Sequence, residues 1–228
     1  MSRENPLWGT PRIQSELQLL GYGASQATVD KYRIRHDKPP SQTWRTFLDN
    51  HVRDIVAVDF FTVPTATFRI LFCFVVLRHD RRFVVHFNVT ANPTSQWTAQ
   101  QIIEAFPNDE SPRFLIRDRD SIYGEFFRQR IKHMCIKEVV TAPRSPWQNP
   151  YVERLIGSIR RECLNHVIVL HAGHLQRILR SYFDYYQESR PHLSLNRNSP
   201  IEREVETNGK VIAIPQVGGL HHRYRRVA

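Results

Sequence analysis

Residues 55–63 read Ile-Val-Ala-Val-Asp-Phe-Phe-Thr-Val. The β-branched and aromatic side chains favour a strand, and apolar residues on both of its faces predict that the strand is buried on both sides. Asp59 interrupts this pattern. An unpaired carboxylate is costly to bury, so we expect a cation, a hydrogen-bond network or a metal ion beside it.

Strand and helix signals follow this run in a regular order. Arg78–Arg82 turn the chain between two further strands, so the first three strands form an antiparallel meander. The predicted elements after residues 55–63 are strands at 68–77 and 83–89, a helix at 94–106, a strand at 113–116, a helix at 126–134, a strand at 138–140, and helices at 149–165 and 172–188. The order βββαβαβα predicts an α/β fold, in which helices flank a mixed five-stranded sheet.

Four segments are predicted along the chain. Residues 1–36 contain two short helices, because Thr10 and Pro11 are typical of a helix start, Gly21 and Gly23 of a helix end, and Ser25 of a second start. This pair is similar to the end of a helix-turn-helix, with Lys31, Arg33 and Arg35 as DNA contacts. The alternative is a helical hairpin that only packs on its neighbour. A polar linker at 37–50, a core at 51–200 and a basic tail at 201–228 follow.

Composition narrows the class of partner. The 228 residues include 32 Lys and Arg against 22 Asp and Glu, a net charge of +10, with 41% apolar residues. This surplus favours a polyanion, nucleic acid before a membrane surface. The three cysteines have no disulfide or zinc-site spacing, which indicates a reducing intracellular compartment. We expect no signal peptide and no membrane span.

Carboxylates at two further places in the chain complete a group with Asp59. Asp118 and Asp120 follow the fourth predicted strand and face the same way at strand period. Glu153 lies in the first turn of a helix that begins at Asn149-Pro150, where the helix dipole favours a negative charge. Gly157 and Arg160 share its helical face. Such acids are ligands for Mg²⁺, and two ions together promote in-line displacement at phosphorus.

The order Asp59, Asp118, Glu153, with 34 residues between the last two, resembles the DDE triad of insertion-sequence transposases and retroviral-type integrases. Residues 143–163 (Pro-Arg-Ser-Pro-Trp-Gln-Asn-Pro-Tyr-Val-Glu-Arg-Leu-Ile-Gly-Ser-Ile-Arg-Arg-Glu-Cys) resemble the family's segment around its glutamate. Residues 185–195 (Tyr-Tyr-Gln-Glu-Ser-Arg-Pro-His-Leu-Ser-Leu) resemble the segment that closes its core. The resemblance covers about residues 10–200. It departs from the family at Asp120, where Gly is usual, and in a spacing one residue shorter than the commonest.

The resemblance implies a ribonuclease-H-like fold with a helix-turn-helix remnant before it. Asp59, Asp118 and Glu153 would be catalytic and would hold two Mg²⁺ or Mn²⁺ ions, and the substrate would be double-stranded DNA, both element ends and target. The expected DNA contacts beyond the first segment are Arg144, Arg154, Arg160 and Arg161. Paired strand transfers imply a homo-oligomer, and the expected place of action is a prokaryotic cytoplasm, at the nucleoid.

Two alternatives to a DDE transposase or integrase stay open at this point. A truncated or domesticated derivative would bind DNA through its helices and basic surface without catalysis. A ribonuclease-H-like nuclease would cut strands without joining them.

Overall fold

The computed structural model describes residues 1, 8–33, 43–107, 111–143 and 145–227. The chain divides into two compact units, Met1–Thr46 and Phe47–Ala228. Within the described ranges no helix combines the length and the apolar character needed to cross a bilayer.

Two short helices lie within the described part of the first unit. Helix α1 spans Thr10–Leu19 and α2 spans Gln26–Tyr32, as predicted. Ile13 and Val29 are buried, one from each helix. The Ser25 hydroxyl caps α2 by accepting a bond from the Thr28 amide. The predicted cap of α1 is wrong by one residue: Gly9 is the cap, and the Thr10 hydroxyl instead donates to Asp30 at 2.8 Å.

Helix α3, Trp44–His51, occupies the end of the segment predicted as a linker. Thr43 starts it, because its hydroxyl accepts a hydrogen bond from the Thr46 amide. Phe47 and His51 then pack on Phe114, with ring centroids 5.1 and 4.8 Å away. The prediction of a linker over residues 37–50 therefore missed this short amphipathic helix, which follows a polar, proline-bearing stretch of sequence. Residues 37–42 lie outside the described ranges.

The second unit is built on the predicted mixed five-stranded sheet. Its strands are β1 (Ile55–Pro64), β2 (Ile70–Arg78), β3 (Val84–Thr90), β4 (Phe114–Arg117) and β5 (Lys137–Val140). They lie in the order β3-β2-β1-β4-β5. The first three pair antiparallel, whereas β4 and β5 run parallel to β1. The predicted strand order along the chain and the ribonuclease-H-like fold class are confirmed.

Helices cover both faces of this sheet. Helices α4 (Ser95–Ala105) and α5 (Glu125–His133) enclose a core with Val56, Val58 and Leu115 of the strands. Helices α6 (Pro150–Glu162) and α7 (Ala172–Glu188) cover the other face. Because neighbouring strand residues point to opposite faces, Asp59 lies on the face that α6 covers.

A hairpin follows the core in place of the predicted basic tail. Its strands are β6 (Lys210–Gln216) and β7 (His221–Val227), paired antiparallel. The His221 ring stacks on Tyr185 at 4.4 Å, and its Nε2 donates to the Glu162 carbonyl at 2.8 Å. The alternation of half-buried and exposed side chains along β7 is typical of a strand with one packed face. The dense charge of residues 221–226 concealed this alternation in the sequence.

Candidate active site

The register of two parallel strands places the first two acids side by side. Strands β1 and β4 pair through Ala57 and Ile116. Continued by two residues, this register brings Asp118, at the carboxyl end of β4, level with Asp59, midway along the longer β1. Arg117 supports this end of β4: its guanidinium donates to the Asp118 carbonyl at 2.8 Å and to Glu138 at 2.9 Å.

Helix α6 brings the third acid to the same end of the sheet. Pro150 occupies its first turn, and Glu153 lies in that turn. The buried Asn149 side chain donates to the Val58 carbonyl at 3.5 Å, which ties the start of the helix to β1 beside Asp59. The helix dipole then favours the charge of Glu153.

A cavity of about 480 Å³ opens between these elements. Its lining includes Asp59, Asp120, Glu153, Gly157 and Arg160. Asp118 is not one of the described residues that line it; its carboxylate accepts a hydrogen bond from the Asp120 amide at 3.1 Å. The structure therefore brings two of the three predicted acids into one cavity, holds the third at its margin, and adds Asp120.

Comparisons with known proteins agree with this architecture. Residues 134–200 match the integrase core domain family, a segment that includes Glu153 but neither aspartate. The predicted resemblance to integrases and transposases is confirmed. No curated protein matches the sequence.

Solved structures support the integrase-like fold at low sequence identity. A chain of the simian T-cell lymphotropic virus intasome, solved with PP2A regulatory subunit B56 gamma, is 14% identical with a TM-score of 0.53, over 92% of this chain and 82% of that one. The Mos1 transposase catalytic domain with Raltegravir and Mg is 14% identical with a TM-score of 0.52, over 65% of this chain and 85% of that one. The dimeric HTLV-2 integrase catalytic core with magnesium is 13% identical with a TM-score of 0.50, over 66% of this chain and 94% of that one.

The electrostatics of the integrase-like core centre on Asp59. Burial raises its pKa to about 7, against the hydrogen bond from the Phe60 amide, which lowers it. The charges of Asp118, Glu153 and Asp120 raise it further. None of the basic side chains that the structure describes forms an ion pair with Asp59. The described protein groups therefore supply no positive charge that pairs with the Asp59 carboxylate.

The carboxylates suit a hard divalent cation in their chemistry. Mg²⁺ and Mn²⁺ prefer oxygen ligands, and a cation would relieve the repulsion that raises the pKa of Asp59. Across the described ranges, however, no group of three or more Asp, Glu, His or Cys side chains lies close enough together to hold an ion. Asp118 and Glu153 are exposed, so their side chains are free to change rotamer towards Asp59.

We expect Asp59→Asn to stabilise the metal-free protein at pH 8 by about 2 kcal/mol. A carboxyl group whose pKa rises from 3.8 to about 7 on folding binds its proton more tightly in the folded chain. Its contribution to stability is therefore complete below pH 4, falls as the pH rises to 7, and is gone above it. Urea unfolding in EDTA at pH 4 and pH 8 measures this difference. A gain of the same size at both pH values would contradict it.

The predicted DNA-binding residues are distributed over both units. Lys31 is exposed on α2, and Arg33 caps the end of that helix. On α6, Arg160 lines the acid cavity, Arg154 is exposed, and the Arg161 guanidinium lies over Gly157, where an added Cβ would come within 3.1 Å of it. Arg161 thus occupies the space beside Gly157. Arg35 and Arg144 lie outside the described residues.

Sequence reasoning missed the support around the acids. Tyr123 is buried behind Asp59, with its ring 5.9 Å from that of Phe60 and 5.0 Å from that of Phe127. The role of Asn149 as a tie to β1 had no local signal beyond its position before Pro150.

Proposed function

We propose that this protein is a DDE transposase or integrase, which cuts a DNA strand and joins the free 3′ end to target DNA. One observation supports the proposal: Asp59 and Glu153 line one cavity, and the register of β1 with β4, continued by two residues, brings Asp118 level with Asp59. The cavity offers several carboxylates and a nearby arginine, which suits metal-assisted transfer of a phosphodiester.

The proposed reaction consists of two nucleophilic displacements at phosphorus. In cleavage, a water oxygen attacks phosphorus, the bond to the 3′ oxygen breaks, and that oxygen leaves as a hydroxyl. In joining, this hydroxyl attacks a target phosphodiester, and the target's own 3′ oxygen leaves. Each joining step makes one phosphodiester and breaks one, so no energy source is needed.

We propose that Asp59, Asp118 and Glu153 hold two Mg²⁺ or Mn²⁺ ions. Such ions, when bound, acidify the attacking oxygen and neutralise charge on the phosphodiester. The Mos1 catalytic domain has been solved with Mg and with Mn, and the HTLV-2 core with magnesium, which supports a divalent cofactor here. The exposed side chains of Asp118 and Glu153 leave room for the acids to converge.

The proposed DNA contacts follow from charge. The chain carries a net charge of +10, and Arg160 lies in the acid cavity itself. We propose residues 1–36, with Lys31, Arg33 and Arg35, as a DNA-binding segment, and residues 51–200 as the catalytic core. Arg144, Arg154 and Arg161 are proposed phosphate contacts of the core, in a homo-oligomer acting at the nucleoid of a prokaryotic cytoplasm.

A branched oligonucleotide tests the proposal without knowledge of the element's ends. The full chain is incubated with a labelled Y-shaped duplex and Mn²⁺, and the products are separated on a denaturing gel. Joined strands support the transposase or integrase. Cut strands without joined ones indicate a nuclease, and binding without any metal-dependent product indicates a DNA-binding protein that lacks catalysis.

A further inference from the structure

A second polar cavity lies on the opposite side of α6 from the acids. Its volume is about 310 Å³. The lining residues used below are Arg82, Tyr151, Arg154, Ser158, Tyr186 and His192. It belongs entirely to the second unit, and Arg154 is the one lining residue named here that is also among the proposed DNA contacts.

Helix geometry separates this cavity from the acid cavity. At about 100° per residue, positions 151, 154 and 158 form one side of α6. Positions 153, 157 and 160 form the other side, which lines the acid cavity. A ligand in the second cavity therefore cannot contact Glu153 and is held by a different set of groups.

The charges in this cavity are unbalanced. Arg190, at its edge, is neutralised by a bidentate pair with Glu162 at 2.8 and 2.6 Å. Arg82 and Arg154 form no ion pair with any carboxylate that the structure describes, and no described Asp or Glu lines the cavity. The Arg82 guanidinium lies only 3.6 Å from the centre of the Tyr151 ring. Burial lowers the pKa of Arg82; Tyr151 and Tyr186 oppose this shift, and the charge of Arg154 adds a smaller lowering.

The backbone that positions Arg82 is unusual. Arg81 and Arg82 have φ of 51° and 58°, the left-handed region that side chains other than Gly rarely adopt. Arg81 locks this turn, since its guanidinium donates to the carbonyls of Pro200 and Ser199 at 2.7 and 2.9 Å and pairs with Glu202 at 2.6 Å. Backbone strain of this kind persists where the surroundings hold it, and it clusters at binding sites.

We propose that this second cavity is a phosphate-binding site. Two guanidinium groups without carboxylate partners supply charge and paired donors, which match phosphate oxygens. The buried Ser158 hydroxyl adds a donor, and the buried Nε2 of His192 has no hydrogen-bond partner among the described residues. The phosphate comes from a DNA backbone or from a small free phosphate. The DNA source rests on the proposed function, whereas the site itself does not.

Two probes distinguish a DNA backbone from a small free phosphate as the source of the bound phosphate. Inorganic pyrophosphate is titrated by calorimetry, and a labelled 20-base-pair duplex by fluorescence anisotropy, both in EDTA so that metal at the acids plays no part. The variants are Arg82→Gln and the exposed Arg154→Gln, with Arg177→Gln, an exposed arginine of α7, as the matched control. Thermal melting establishes that each variant is folded.

Each cavity variant is expected to weaken binding of the matching probe about tenfold, because one charge-assisted contact is lost. The control should bind like the wild type. Loss with the duplex identifies DNA as the source, and loss with pyrophosphate alone identifies a free phosphate. Equal binding by wild type and both cavity variants, with both probes, overturns the proposal. Metal-dependent cutting is absent from both assays, so failure of the proposed function leaves the pyrophosphate result unaffected.

Discussion

Asp59→Asn and Glu153→Gln are each expected to slow processing of a branched oligonucleotide by about 10³-fold or more. Both changes keep the size of the side chain and remove its charge. Asp59 has no described basic partner, so the amide weakens no described protein ion pair, and we expect its effect on the rate to come from weaker cation binding. Single-turnover rates in Mn²⁺, measured from labelled strands on a gel, give the ratio directly.

The matched control for this prediction is Asp184→Asn, an exposed acid on α7. It removes the same charge from the chain and should leave the rate within about twofold of wild type. A rate for Asp59→Asn within tenfold of wild type would mean that the acids are structural. The protein would then be interpreted as a DNA-binding relative without this chemistry.

Mutation of Asp118 and of Asp120 distinguishes the catalytic residue that the sequence motif indicates from the one that the cavity indicates. The resemblance assigns the catalytic role to Asp118, whereas Asp120 lines the cavity in the structure. We expect Asp118→Asn to match the loss of Asp59→Asn, and Asp120→Asn to slow the reaction less than tenfold, through charge alone. The reverse order of effects would move the catalytic role to Asp120.

Phe127→Ala is expected to lower the free energy of unfolding of the second unit by about 4 kcal/mol. Phe127 is fully buried on α5, where its ring meets Tyr123 and the core around Val58 and Leu115. Truncation removes apolar burial and leaves a void that the surrounding side chains fill only in part. Urea unfolding followed by circular dichroism measures the difference.

The neighbouring Phe126 provides an internal control on the same helix. Its side chain is 58% exposed, so Phe126→Ala should change the free energy of unfolding by less than about 0.5 kcal/mol. Similar losses for the two variants would show that α5 does not bury Phe127 as the structure has it.

The sequence predicted the elements of the core because their signals are local. Apolar residues on both sides of Asp59 gave β1, and Asn149-Pro150 gave the start of α6. Helix α3 and the β6–β7 hairpin were missed, because a proline-bearing stretch and a dense run of charge concealed short amphipathic patterns. The cavity of Arg82 and Tyr151 had no signal, since it joins residues far apart in the chain through tertiary packing alone.

The strand order β3-β2-β1-β4-β5 has a consequence for how the protein is made. Strands β1 to β3 pair with their neighbours in sequence, so the ribosome releases a segment able to close its hairpins early. Strand β4 must return across the chain to reach β1, and loop closure makes that step slower. Asp59 and Asp118 therefore meet only late in folding. We expect the nascent chain to close the meander of β1 to β3 well before it brings the two aspartates together, so that the pair is completed only when β4 docks on β1.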